Sequence, residues 1–358
     1  MGVPTAIVTG SGGLIGSETV EHFTQAGYDV IGLENDMRAA FFGAEASTLP
    51  VTSRLRQAYD AFRSIDVDVR DADGVDRVFR EAAPRIELVV HTAAQPSHDW
   101  AASDPVTDFD VNARGTLNLL EATRAHCPAA TFIHMSTNKV YGDTPNGLPL
   151  EESEVRYELP ADHRYYGGVD TTMTIDRSMH SLFGVSKAAS DLLVQEYGRY
   201  FGIPTVCFRG GCLTGPSHAG AKLHGFLSYL VRCAVTDTPY TVFGYRGKQV
   251  RDNIHSADVT RAFTTFHASP RLAAVYNLGG GRQSNCSMLE AMQVTQEVTG
   301  RELRWSLSET ARMGDHKWWI SDVEEFRRDY PDWDLRYGIR EIIEEISEQN
   351  ADRWLAAA

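Results

Sequence analysis

Short apolar runs, β-branched or aromatic in character, recur through the first half of the chain at residues 5–8, 30–33, 88–91 and 131–135. Runs of this length and composition predict buried parallel strands. Helical periodicity falls between them. Residues 17–25 follow the first run as a helix, and over residues 107–122 Phe109, Ala113, Thr116, Leu117 and Leu120 share one helical face. A further helix over residues 185–200 puts Ala188, Leu192 and Tyr197 on one stripe, and another is predicted over 223–234. Strand and helix in alternation imply an α/β fold, a doubly wound parallel sheet. Residues 275–278 read as a late strand returning to that sheet.

Residues 142–179 break the pattern. They are rich in Pro, Gly, Asp and Tyr and carry little periodicity, so they predict a long, loop-rich excursion of the kind that serves function. Beyond Arg209 the segments are short and mixed. The expected division is therefore interleaved. Residues 1–209 with 252–278 form a nucleotide-binding domain in which 142–180 is an insertion, and residues 210–251 with 279–358 form a smaller substrate-binding lobe.

Composition narrows the class. A formal net charge of −14 speaks against nucleic acid as a partner, because phosphate backbones want a basic face. No run approaches the roughly 18 apolar residues of a membrane span, so no membrane partner is expected. The N-terminal residues run into the first strand without a basic or cleavable apolar stretch, which makes the cytoplasm the expected compartment. The cysteines at 127, 207, 212, 233 and 286 form no Cys-x-x-Cys pair; neither a disulfide framework nor a metal site is expected.

After the first strand comes Gly10-Ser11-Gly12-Gly13-Leu14-Ile15-Gly16. Glycines at 10, 13 and 16 allow a tight turn and close approach of the backbone to a pyrophosphate. Leu14 and Ile15 open a helix whose N-terminal N–H groups face it. A glycine triplet alone is a weak signal; placed between strand and helix it is a strong one. The second strand ends at Leu33-Glu34-Asn35, about twenty residues on, where a carboxylate accepts the ribose hydroxyls and repels a 2′-phosphate. Glu34 thus favours NAD, while Arg38 leaves NADP open. Asp68-Val69, after a third strand, would flank the adenine.

These motifs resemble a known family. With His91-Thr92-Ala93-Ala94, Asn112 in Val-Asn-Ala-Arg-Gly-Thr, Ser136-Thr137-Asn138-Lys139-Val140-Tyr141-Gly142, Lys187, Gln249-Val250-Arg251-Asp252 and Arg312-Met313-Gly314-Asp315, the chain is similar throughout to the extended short-chain dehydrogenase/reductases acting on nucleotide sugars. The string from Ser136 to Asp143 looks most like the CDP-paratose (tyvelose) 2-epimerase branch. The resemblance implies a Rossmann-type fold, bound NAD, a nucleotide-diphosphate sugar as substrate and an epimerisation through a transient keto-sugar. Dehydration after the same first oxidation is the close alternative. The two long helices imply a homodimer. Ala93, Ala94 and Asn112 would line the cofactor; Gln95, Ser136, Thr137 and Asn138 would meet the sugar. Arg251 and Arg312 would hold the diphosphate as paired donor forks, with Lys222, His224 and Asp315 nearby. Trp318-Trp319 either stack on a base or serve as core.

Thr137 falls at the family's hydroxyl position and Lys187 at its lysine. The tyrosine four residues before that lysine is absent: the chain reads Phe183-Gly184-Val185-Ser186-Lys187. Phenylalanine has no proton to move, and losing a positioned acid–base group costs about 10²–10⁴-fold in rate. Three readings stand open. Another group serves as base, with Tyr165, Tyr166 and His180 ahead of His98, Asp99 and Cys212. Alternatively Thr137 with Lys187 suffices for a different substrate, or the protein binds NAD and ligand without turnover. Equally, Tyr165 and Tyr166 simply pack the loop, and His180 caps or packs before its helix.

Overall fold

The structure, a computed structural model, describes residues 2–218, 225–309 and 314–357. It divides into two compact units. The first comprises Met1–Val140, Ser181–Arg209 and Thr260–Tyr276; the second comprises Tyr141–His180, Gly210–Val259 and Asn277–Ala358.

The first unit is built on a seven-stranded sheet. In spatial order its strands are Ala274–Leu278, Thr205–Gly210, Thr131–Thr137, Ile86–His91, Thr5–Thr9, Asp29–Leu33 and Phe62–Ile65. Pairing is parallel from Thr131–Thr137 across to Phe62–Ile65. The expected apolar runs are all strands, and every residue of Thr5–Thr9 is buried. Helices cover the sheet, and one core cluster joins Ile7, Val89 and Phe132 of the strands to Val75 and Phe79 of Ala72–Ala82 and Leu119 and Leu120 of Gly115–His126.

One expected helix is not continuous. Over residues 107–122 the chain runs as Pro105–Phe109, then a π-helical turn Asp110–Arg114, then Gly115–His126. An extra residue in a helical turn re-aims side chains without ending the helix. Here it falls on Asn112.

The second unit centres on the strand Val250–His255. Asn285–Ser287 pairs with it antiparallel, and Cys212–Thr214 and Trp318–Trp319 pair parallel. Its core is helical, with Leu230 and Val231 of Phe226–Val235, Ala291 and Met292 of Met288–Thr299, and Ile342 and Ile346 of Ile339–Ala357. Trp318 and Trp319 are fully buried and belong to the core. The excursion 141–180 falls in this unit rather than in the first. Val169 N–H donates to the Ile320 carbonyl at 2.7 Å, and Asp322 N–H returns a bond to Val169 at 2.9 Å. Side chains dock the loop as well: Trp318 Nε1 donates to Glu158 Oε1 at 2.9 Å and Arg282 Nη1 pairs with Glu158 Oε2 at 2.8 Å. These partners lie more than a hundred residues away, so the loop's own pattern does not show them. Among the described residues no helix is long and apolar enough to cross a membrane.

The first unit holds a fully buried ion pair. Arg209 Nη2 lies 2.8 Å from Asp191 Oδ1, with side chains 8% and 1% exposed. Ser136 Oγ donates to Asp191 Oδ2 at 2.6 Å and Gln195 Nε2 to Oδ1 at 2.7 Å. Removing one partner strands the other charge away from water. Asp191→Ala is therefore expected to lower unfolding stability by about 3–5 kcal/mol, measured by urea denaturation; a loss under 1 kcal/mol would contradict the pairing.

Candidate functional site

Strand order reverses between Thr5–Thr9 and Ile86–His91, so the loops leaving these two strands part to opposite sides. Gly10 leaves the first strand in the left-handed region at φ +65, and a Cβ there would lie 2.9 Å from the Ala93 backbone. A Cβ on Gly16 would lie 2.0 Å from the Gly10 carbonyl oxygen. Thr92 Oγ1 donates to the Thr9 carbonyl at 2.7 Å and Ala93 N–H to Thr9 Oγ1 at 3.1 Å, locking the loop of Ala93 and Ala94 beside the glycine turn. The helix Leu14–Gln25 begins at Gly13 without a side-chain cap, so the first-turn N–H groups, those of Leu14 and Ile15 among them, remain for a ligand.

Glu34 is tied back to this turn. Its Oε2 accepts Gly12 N–H at 2.9 Å and its Oε1 accepts Asp36 N–H at 2.9 Å. Burial lowers the Arg38 pKa, with the Glu34 charge working the other way, and its guanidinium lies 5.1 Å from the Phe42 ring centroid. Asn35 Nδ2 donates to Asp68 Oδ2 at 3.0 Å. Burial works against the Asp68 carboxylate, but its bonds from Arg70 outweigh that and hold it below the usual range. Val69 is buried next to it. A glycine cradle that a Cβ would fill, an uncapped helix N-terminus and a fixed carboxylate after the second strand fit a dinucleotide.

The strand Thr131–Thr137 carries Ser136 and Thr137 at its end, and the helix Leu182–Phe201 packs across it. Lys187 Nζ donates to the Met135 carbonyl at 3.0 Å and lies 3.4 Å from His134 Nε2. Its side chain is nearly buried, and loss of water lowers its pKa to about 8. Thr137 Oγ1 accepts only a long bond from Lys139 N–H, 3.3 Å, and approaches Asn138 Oδ1 at 3.4 Å. Ser136 is committed to Asp191, and Asn138 is buried.

Gln95 and Asn112 meet in a buried network. Gln95 Nε2 donates to Asp108 Oδ1 at 2.7 Å; Asn112 Nδ2 reaches the same oxygen at 3.1 Å and Ser186 Oγ at 3.0 Å; Asn112 Oδ1 accepts Gln95 N–H at 3.0 Å. Burial raises the Asp108 pKa, with those bonds pulling against it. The network pins the loop after Ile86–His91 to the π-helical turn and to the helix carrying Lys187.

Other expected residues belong to the second unit. Arg251 Nη2 pairs with Asp315 Oδ1 at 2.5 Å and is well buried. Tyr165 is buried under the Arg164 guanidinium at 4.5 Å, and Tyr166 lies under that of Arg282 at 4.0 Å. His180 Nδ1 lies 3.2 Å from the Ser178 carbonyl oxygen. Lys222, His224 and Arg312 lie outside the described residues.

Several residues escaped the sequence reading. Gly12 cannot be replaced freely, because a Cβ would sit 2.7 Å from Thr48 and Thr52 side-chain atoms. Its place in the glycine string was the available signal. Asp108 precedes Asn112 by four residues, a helical spacing that could have flagged a polar pair. His91 and His134 end or interrupt apolar runs, and their rings lie tilted with centroids 5.1 Å apart, His134 next to Lys187; burial takes His91 down to about 3 and His134 well below its usual value. Both are neutral supports.

The lysine gives a test by pH. Its folded value, about 8, is below the ordinary 10.5, so the folded state releases this proton first. Stability at Lys187 is thus least below pH 8 and rises as pH climbs toward 10.5. The stability advantage of Lys187→Met over the unaltered protein is expected to shrink by about 3 kcal/mol across that window, read by urea unfolding. An advantage independent of pH would contradict it.

Comparison with known proteins adds to this geometry. Over 347 residues the chain is 28% identical to CDP-paratose 2-epimerase of Salmonella typhi, covering 95% of this chain and 97% of that protein. It is 28% identical to dTDP-glucose 4,6-dehydratase 1 of Escherichia coli K12, covering 89% and 93%. The crystal structure of Thermus thermophilus UDP-glucose 4-epimerase complexed with NAD superposes with a TM-score of 0.75 at 26% identity, covering 99% of this chain and all of that one. The model of the NAD dependent epimerase/dehydratase family matches residues 6–279, the stretch that holds the glycine turn, Thr137 and Lys187, and the chain belongs to that family.

Proposed function

We propose that this chain is a nucleotide-sugar epimerase that keeps its NAD and works through a transient keto-sugar, as a CDP-paratose 2-epimerase-like enzyme. The placement of Lys187 on the Met135 carbonyl, two residues before Thr137 at the strand's end, in a unit that also carries the glycine cradle and Glu34, supports this best. NAD, when bound, supplies the acceptor and donor for the carbinol C–H electrons. The residues do the rest. Gly10, Gly13 and Gly16 admit the pyrophosphate to the helix N-terminus, and Glu34 takes the adenosine ribose. Asp68, Val69, Ala93, Ala94 and Asn112 shape the surrounding walls. Lys187 offers a cation to the nicotinamide ribose, and the Thr137 hydroxyl hydrogen-bonds the reacting sugar oxygen. Gln95, Ser136 and Asn138 shape the sugar side.

Arg251 and Asp315, with Lys222 and Arg312, are the proposed diphosphate and nucleotide contacts. The Arg251–Asp315 pair holds one guanidinium ready, at the cost of competing with phosphate for it. A close second reading, supported by the dehydratase relative, shares the first oxidation and ends in loss of water. Phe183 favours a third, binding without turnover.

A homodimer is also proposed. Val106 and Phe109, one turn apart, and Leu182, Val185 and Leu192 on the neighbouring long helix are all exposed apolar residues. A second copy of the same face would cover them. Sedimentation should show a dimer that Phe109→Glu with Val185→Glu converts to monomer; a monomeric parent protein would contradict the proposal.

The function is tested by incubating the purified protein with CDP-, GDP-, UDP- and dTDP-linked sugars without added cofactor. Absorbance at the NADH band and NMR of the sugar are followed. A new epimer without net redox change is expected, and Thr137→Val should slow its appearance at least about tenfold with NAD still bound. A dehydrated product would favour the second reading, and binding without chemistry the third.

A further inference from the structure

Phe183 leaves the first turn of the helix Leu182–Phe201 without a group that can take a proton, one turn from Lys187. What meets its ring is an imidazole. His98 and Phe183 lie with ring centroids 5.1 Å apart and planes at 75°, an edge-to-face contact. His98 Nδ1 is 2.6 Å from Ser181 Oγ. Ser181 is the N-cap of the same helix, its Oγ accepting Gly184 N–H at 3.1 Å. The residue that starts the helix carrying Phe183 and Lys187 therefore also fixes this ring. On its other side the loop is fixed too, since Gln95 Oε1 accepts Ser97 N–H at 2.6 Å and Ser97 caps the short helix that His98 opens.

Resting on the epimerase reading above, we propose that His98 is the proton-transfer residue that stands in for the missing phenol, with Ser181 as its positioning residue. The residue type suits the task, because imidazole is the side chain whose ordinary charge change lies nearest neutrality. His91 and His134 are buried and neutral, and Lys187 is held by the Met135 carbonyl. In the oxidation the sugar O–H bond breaks and its proton passes to the imidazole. The C=O bond forms as the carbinol hydrogen leaves with its electron pair for the oxidised dinucleotide. Reduction on the other face reverses both transfers, so no proton is gained or lost overall.

The test uses the full-length protein loaded with NAD. His98→Asn keeps a side chain able to bond Ser181 but cannot carry the proton. Its turnover of the sugar identified by the panel is expected to fall about 10²–10⁴-fold, with NAD binding unchanged. Turnover within threefold of the parent would overturn the assignment, as would a parallel loss of NAD binding, which would make the defect structural. A second readout does not need turnover. The imidazole C–H resonance that disappears in His98→Asn should shift when NAD is added to the stripped parent protein. If the parent turns over no sugar, the epimerase reading fails by itself, and this resonance decides: a shift keeps His98 at the nicotinamide end, and an unmoved resonance overturns the proposal.

Discussion

The helix Leu182–Phe201 is held against the end of the strand Thr131–Thr137 by polar groups that have been taken out of water. Lys187 bonds the Met135 carbonyl, Ser136 bonds Asp191, and Asp191 bonds Arg209 of the adjacent strand. Buried charges and donors of this kind are tolerated only in one register, because any slip leaves a charge unpaired. The positions of Thr137, Phe183 and Lys187 relative to one another follow from that docking. So does the depressed lysine, whose low value reflects how much solvent the docking removes.

A second network extends the same constraint toward the glycine turn. Asp108, Asn112, Gln95 and Ser186 link the loop after the fourth strand, the π-helical turn and the long helix. The glycine turn is packed against that loop through Ala93, and Glu34 is bonded to the turn through Gly12. A chain of short contacts thus connects Glu34 to the helix carrying Lys187 within one unit.

Much of this could be read from the chain itself. The strands show as β-branched runs because parallel strands are buried on both faces, and the glycine string shows because a phosphate turn admits no Cβ. The roles expected of Ser136 and Gln95 were harder to judge. Their types and positions are visible, but whether a hydroxyl or amide faces a ligand or a buried carboxylate depends on Asp191 and Asp108, distant in sequence or hidden in a helix. The same holds for His98, which stands behind Tyr165, Tyr166 and His180 in the sequence reading and becomes prominent only because the fold brings it against Phe183 and Ser181. The loop 142–179 was recognisable as irregular, yet the partners that dock it, among them Arg282 and Trp318 against Glu158, lie far along the chain and leave no local pattern.

In the proposed reaction the sugar is oxidised and reduced again by a cofactor that never leaves, with the hydrogen returned to the carbon it came from. It is tested most directly with a nucleotide sugar deuterated at every sugar carbon, converted in ordinary water by the protein as purified. Mass and NMR analysis of the epimer should find deuterium retained at the inverted carbon. Label washed out into solvent would mean that this carbon had been inverted by proton exchange, and would contradict the account.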